Sequence, residues 1–228
     1  MKFTPACLCM LLVLLAPDSS ACEQGDDDVF PCEADSRDVN EGSLQLLPLP
    51  PSGPVHEHSN RITLMAASLQ DGWARLYQCH THLDNVSVAQ IVYRDDRIRK
   101  LEIDSFEGIG RAWVEGSSVQ LENVSATARL CIRAESRVVW PLTGDRFVVR
   151  NGPFMRRFLD GYYPMHVTLE IILPPGDWVL EKSEPAAQAG FSVTRNFAGI
   201  VVDAWFEGKL ETEFYFMPAV SRRSPRIK

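Results

Sequence analysis

An all-β fold, laid out as an antiparallel β-sandwich of immunoglobulin-like or similar arrangement, is predicted by three observations. Residues 165–173 and 209–216 alternate apolar and polar side chains at a period of two, the signature of a strand with one buried face. From Arg61 onward, short β-type runs recur, each bounded by glycine, proline, asparagine or aspartate. The chain of 228 residues, less an N-terminal leader, is long enough for one large β domain with a sizeable core.

The leader comes first. Lys2, an apolar run over residues 6–16 and the small residues Ser19-Ser20-Ala21 before Cys22 form the pattern of a secretory signal peptide at 1–21, too short to span a bilayer. An exported protein follows, periplasmic or secreted. Cys22 then has two fates. Ser20-Ala21-Cys22 matches most of a bacterial lipobox, which would anchor the chain to a membrane through a lipid on Cys22, although Ser19 stands where leucine is usual. Cleavage after Ala21, leaving Cys22 free to pair, fits the same residues.

Residues 22–60 read as an acidic, proline-rich disordered spacer. They hold nine acids against Arg37 alone, and Pro48, Pro50, Pro51 and Pro54 stiffen their second half. The net charge of -7 is therefore concentrated there. Lys2 and Asp18 cancel in the leader, so the rest of the chain is nearly neutral and has no global field for gathering nucleic acid.

The β-sandwich domain is expected over 61–221. Its strands are read at 62–69, 73–79, 86–93, 98–103, 112–114, 119–124, 128–133, 138–140, 146–149, 165–173, 178–181, 191–194, 200–206 and 209–216. One stretch differs from these. Asn151-Gly152 reads as a turn, Pro153 can open a short helix and Gly161 can close it, which predicts a helical turn near 153–160. That turn would divide the strands into two sets, within one sandwich or between two β halves divided near 151–164. Residues 222–228 form a basic tail.

Four cysteines remain after the leader: Cys22, Cys32, Cys79 and Cys131. In an oxidising compartment an even number predicts two disulfides, most economically Cys22 with Cys32 and Cys79 with Cys131. On their strands Cys79 shares a face with Arg75 and Tyr77, and Cys131 with Arg129 and Arg133, so the second pair has matching exposure.

Two constellations could carry function. His56 and His58, and likewise His80 and His82, are H-x-H pairs; on a strand, residues i and i+2 point to one side, where two imidazoles can hold Cu or Zn. Arg146, Arg150, Arg156 and Arg157 lie close in sequence to Tyr162 and Tyr163, a combination suited to an anionic glycan, a lipid headgroup or an envelope protein. For catalysis the sequence offers less. No nucleophile elbow, zinc-protease helix motif or phosphate-cradling loop appears, and Glu211 and Glu213 alternate with apolar residues as any exposed strand does. The expectation is a non-catalytic cell-envelope binding or assembly module without a resident cofactor. An envelope Cu/Zn-binding protein and a hydrolase of envelope polymers are the alternatives.

Overall fold

The computed structural model describes residues 40–219. The leader, Cys22, Cys32, the first part of the spacer and the basic tail lie outside the described residues, which all fall in one compact unit. In chain order the strands are β1 (Gln45–Leu46), β2 (His56–Thr63), β3 (Trp73–Thr81), β4 (Val86–Val92), β5 (Ile98–Glu115), β6 (Ser118–Arg137), β7 (Val139–Pro141), β8 (Phe147–Phe154), β9 (Arg156–Phe158), β10 (Gly161–Tyr163), β11 (Met165–Ile172), β12 (Trp178–Glu184), β13 (Phe191–Arg195), β14 (Gly199–Glu207) and β15 (Leu210–Pro218). Helical structure among these residues is confined to a single turn at Ser68–Asp71 and a 3-10 turn at Asp95–Arg97.

The all-β expectation holds. A nine-stranded sheet runs in the order β1-β14-β11-β2-β3-β6-β4, with β13 also on β14 and β5 also on β6. A four-stranded sheet runs β12-β15-β8-β7, and β9 pairs with β10 as a separate hairpin. The apolar members of each alternating strand build the core: Val167, Leu169 and Ile171 from β11, Ile200, Val202 and Phe206 from β14, Phe214 and Phe216 from β15. Each side chain of that size removed from water stabilises the fold by about 1.5–3 kcal/mol.

β6 organises one side of the large sheet. Its C-terminal part pairs with β3, its N-terminal part with β4, and nearly its whole length with β5 across a two-residue turn that begins at Gly116, whose φ of 58° suits a residue without Cβ. The four short runs expected between 98 and 133 are thus two long strands. Cys79 and Cys131 stand directly opposite one another in the β3–β6 register and form a disulfide with a Cα–Cα distance of 4.1 Å.

Several expectations require correction. β2 begins at His56, inside the stretch read as spacer, because its backbone is hydrogen-bonded on both sides, to β3 and to β11. A polar, proline-flanked segment is held by neighbours that its own composition does not announce. The β2–β11 pairing is parallel, so the sheet is not wholly antiparallel. The helical turn near 153–160 is absent. β8 instead continues to Phe154, which pairs with Leu210 and is buried, and β9 and β10 form a hairpin registering Arg156 with Tyr163 and Arg157 with Tyr162. Tertiary anchoring of Phe154 and the β-forming aromatics at 158, 162 and 163 override the local proline and glycine signals.

The turn between β14 and β15 tests the backbone directly. Gly208 has a φ of 84°, and a Cβ there would sit 2.0 Å from the Ser43 carbonyl oxygen. Gly208→Ala is expected to destabilise the fold by about 2 kcal/mol or more, read as a lower urea midpoint at unchanged slope.

Candidate functional site: a histidine-floored cavity

The inward face of β2 reads His56, His58, Asn60, Ile62 at alternate positions, and that of β3 reads Ala74, Leu76, Gln78, His80. Register decides what meets. His58 pairs with His80 and Asn60 with Gln78 across β2–β3, while Met165 of β11 pairs with His56. A polar stripe therefore lies within an otherwise apolar sheet face, and three of the four histidines singled out in the sequence converge on it. His82 does not join them. It lies beyond the end of β3 in left-handed backbone (φ 53°) and is exposed.

The contacts are close. His56 Nε2 lies 2.9 Å from His80 Nδ1, and the His58 and His80 rings stack with centroids 4.2 Å apart. Phe154 meets His58 edge-on at 5.2 Å. Behind the rings, the Gln78 amide donates to Asn60 Oδ1 at 2.9 Å and to His58 Nε2, and accepts from the Tyr93 hydroxyl. Since His58 Nε2 accepts, its proton resides on Nδ1. His58 Nδ1 and His80 Nε2 are buried and have no hydrogen-bond partner among the described residues.

All three imidazoles are neutral at neutral pH. Burial, helped by the Arg156 charge and opposed by Asp84, lowers His56 to about 4. Burial and the neighbouring His56 lower His58 to about 3, and burial with both other histidines puts His80 well below its ordinary value. Burial likewise raises the Tyr93 phenol, which stays a donor throughout. An apolar surround disfavours every charged form, and no carboxylate adjoins the stacked pair to offset it.

These rings floor a cavity of about 680 Å³ between the large sheet and the β8–β9 segment. Leu83, Ala89, Ile91, Leu121 and Phe154 contribute apolar wall. Charge around it is one-sided: Arg94, Arg97, Arg137, Arg150, Arg156 and Arg157 line the cavity, against Asp84 as the one lining carboxylate among the described residues. Asp84 is taken by Arg156, whose Nε reaches it at 3.0 Å in a two-pronged contact. Arg97 and Arg150 both lie over the Trp140 ring, 5.0 and 5.6 Å from its centre. Arg150 Nε is 2.8 Å from Glu213 but outside hydrogen-bond geometry, which leaves that donor unsatisfied. Arg137 and Arg157 have no carboxylate partner among the described residues, although Arg157 lies over the Tyr162 ring at 5.6 Å.

The arginine and tyrosine patch expected from the sequence is therefore divided. Arg150, Arg156 and Arg157 face the cavity, whereas Arg146 pairs with Glu181, Tyr162 is buried against the Asn40 backbone, and the Tyr163 hydroxyl donates to Asp160 at 2.6 Å. Glu213 is engaged by Arg150 and Tyr215 rather than facing a second carboxylate across a cleft. The residues that sequence reasoning missed are Gln78, Asn60, Tyr93 and Met165. The continuation of His-x-His into His-x-His-x-Asn, all on one strand face, was the available signal.

No protein-family description matches the chain, and no curated protein matches it. Among solved structures it is similar to the M1 zinc metallopeptidase from Deinococcus radiodurans, with 11% identity and a TM-score of 0.38 over 79% of this chain and 43% of that one. The chain thus spans less than half of that enzyme, and a likeness of this size carries no inference about chemistry. Among the described residues no helix is long and apolar enough to cross a membrane.

Proposed function

We propose that the chain is an exported, non-catalytic binding module of the cell envelope whose cavity takes an amphiphilic anion, a molecule with an apolar body and an acidic head. The observation that carries this reading is the cavity's composition. Its lining is largely aliphatic and aromatic, and includes six arginines against one carboxylate. A volume of about 680 Å³ lies within the range of small-molecule sites, which are mostly apolar with a few placed polar groups. Guanidinium forks at an apolar mouth suit a carboxylate, sulfonate or phosphate head, and the wall suits an acyl chain. The secretory pattern of residues 1–21 supports export and the cysteine usage supports an oxidising compartment.

Displacement of a fluorescent anilinonaphthalene sulfonate by dodecanoate tests the reading, with 1-dodecanol as the uncharged control. Dodecanoate is expected to displace the probe, and substitution of Arg137→Gln together with Arg157→Gln to weaken it about tenfold or more while leaving dodecanol unchanged, since a charge-assisted hydrogen bond contributes about 1.5–3 kcal/mol. Failure of dodecanoate to displace the probe, or equal binding by the double variant, sinks the proposal. Ala89→Trp, which fills the wall, is expected to abolish binding of both ligands.

A further inference from the structure

The paired histidines do more than floor an apolar cavity. We propose that His56 Nε2 and His80 Nδ1, with the Met165 thioether, form a Cu(I) site. The two nitrogens already face one another at 2.9 Å, the distance of a shared proton. Metal–imidazole bonds of about 2 Å require a somewhat wider separation, which the half-buried His56 can supply by a small ring movement. Met165 is directly opposite His56 in the parallel β2–β11 register, on the same sheet face, buried and lining the same cavity.

The donor set selects the metal. Among the described residues no three His, Cys, Asp or Glu side chains are disposed to hold a cation. A four-coordinate Zn(II) centre is therefore unsupported, and a doubly charged ion would enter a largely apolar wall whose one lining carboxylate, Asp84, is already paired with Arg156. Cu(I) carries one charge, accepts two or three ligands and favours neutral imidazole and thioether. The proton between the rings moves to the far nitrogen of its own ring, and the site gains only the charge of the metal. His80 Nε2, which lacks a partner, is one such far nitrogen. His58 does not ligate in this arrangement. Its Nε2 is engaged by Gln78, and its ring stacks on His80 and fixes that ligand's plane.

The site stands apart from the amphiphile reading, because neither Arg137 nor Arg157 is a ligand. The test is an air-free titration of the full chain with Cu(I) held by a coloured bicinchoninate complex. One Cu(I) per chain is expected to leave the chelator, with an X-ray absorption signature of nitrogen plus one sulfur. Met165→Leu, which conserves volume, is expected to weaken the site about tenfold or more, and His56→Leu to abolish it. No withdrawal of copper overturns the proposal. So does withdrawal undiminished in His56→Leu, which would put the metal on other donors such as Cys22 or Cys32. Should His56→Leu fail to fold, undiminished affinity in Met165→Leu with no sulfur signature overturns it equally.

Discussion

Acidification from neutral to about pH 4 is expected to remove several kcal/mol of stability, and most of that loss traces to three buried histidines. An unfolded histidine titrates near 6.5, whereas His56 and His58 in the fold are lowered to about 4 and about 3, and His80 lies well below 6.5. Between the unfolded and folded values the unfolded chain binds more protons, so stability rises with pH across that window. It is fully present above about pH 6.5, declines as the pH falls below it, and is gone once the pH passes the folded values. Every tenfold loss of proton affinity on folding corresponds to about 1.4 kcal/mol, which makes several kcal/mol the right order for the cluster. Urea midpoints measured between pH 7.5 and pH 4.5 check this. His58→Gln should flatten the profile, and a profile that is flat in the unaltered chain would show that the rings are not held neutral. Carboxylates in ion pairs with arginine or lysine, Asp96 and Glu135 among them, are shifted downward and respond at more acid pH, which separates their contribution from that of the imidazoles.

Removal of the Cys79–Cys131 bridge is expected to cost about 4 kcal/mol in the chain-entropy account, given the 52-residue separation of its cysteines. Guanidinium unfolding with and without a phosphine reductant, compared with a Cys79→Ala, Cys131→Ala double variant, measures it. The loss should appear in the midpoint of the unaltered chain on reduction and should be absent from the double variant. A difference under about 1 kcal/mol would mean that the β3–β6 ladder already restrains the unfolded chain enough to make the bridge redundant. Cys79 and His80 are neighbours with side chains on opposite sheet faces, so the bridge supports from behind the strand that carries one wall of the histidine cluster.

The strands with one buried face were legible in the sequence. β11 and β15 match the alternating stretches 165–173 and 209–216 closely, because inward and outward residues there differ sharply in polarity. β2 was not, since its inward positions are His56, His58 and Asn60, and a polar inner face gives no apolar alternation to detect. β9 and β10 were hidden differently: Pro153 and Gly161 carry helix-boundary signals, and it is the pairing of Phe154 with Leu210 and of β9 with β10 that keeps the chain extended. For the site, the H-x-H spacing put His56 and His58 on one face of β2, whereas His82 falls beyond the end of β3 and leaves His80 without its expected partner. Which pairs would meet depended on register across a connection that includes the Ser68–Asp71 turn, and register is set by the packing of the whole sheet. The same holds for Met165, more than a hundred residues from His56 in the chain, and for the arginines of the rim, whose common cavity exists only after β8 and β4 have been placed.

The parallel pairing of β2 with β11 sets an order on assembly. β2 can meet β3 early, as a nearby antiparallel neighbour, but its other edge has no partner until residues 165–172 have been synthesised. For that interval an unpaired strand edge bearing His56 and His58 is open to any other extended chain, the kind of exposure that makes non-local β topologies slow to fold and prone to association. The cavity floor is consequently completed only once β11 has been laid beside β2, and its closure reports that this long-range pairing has formed.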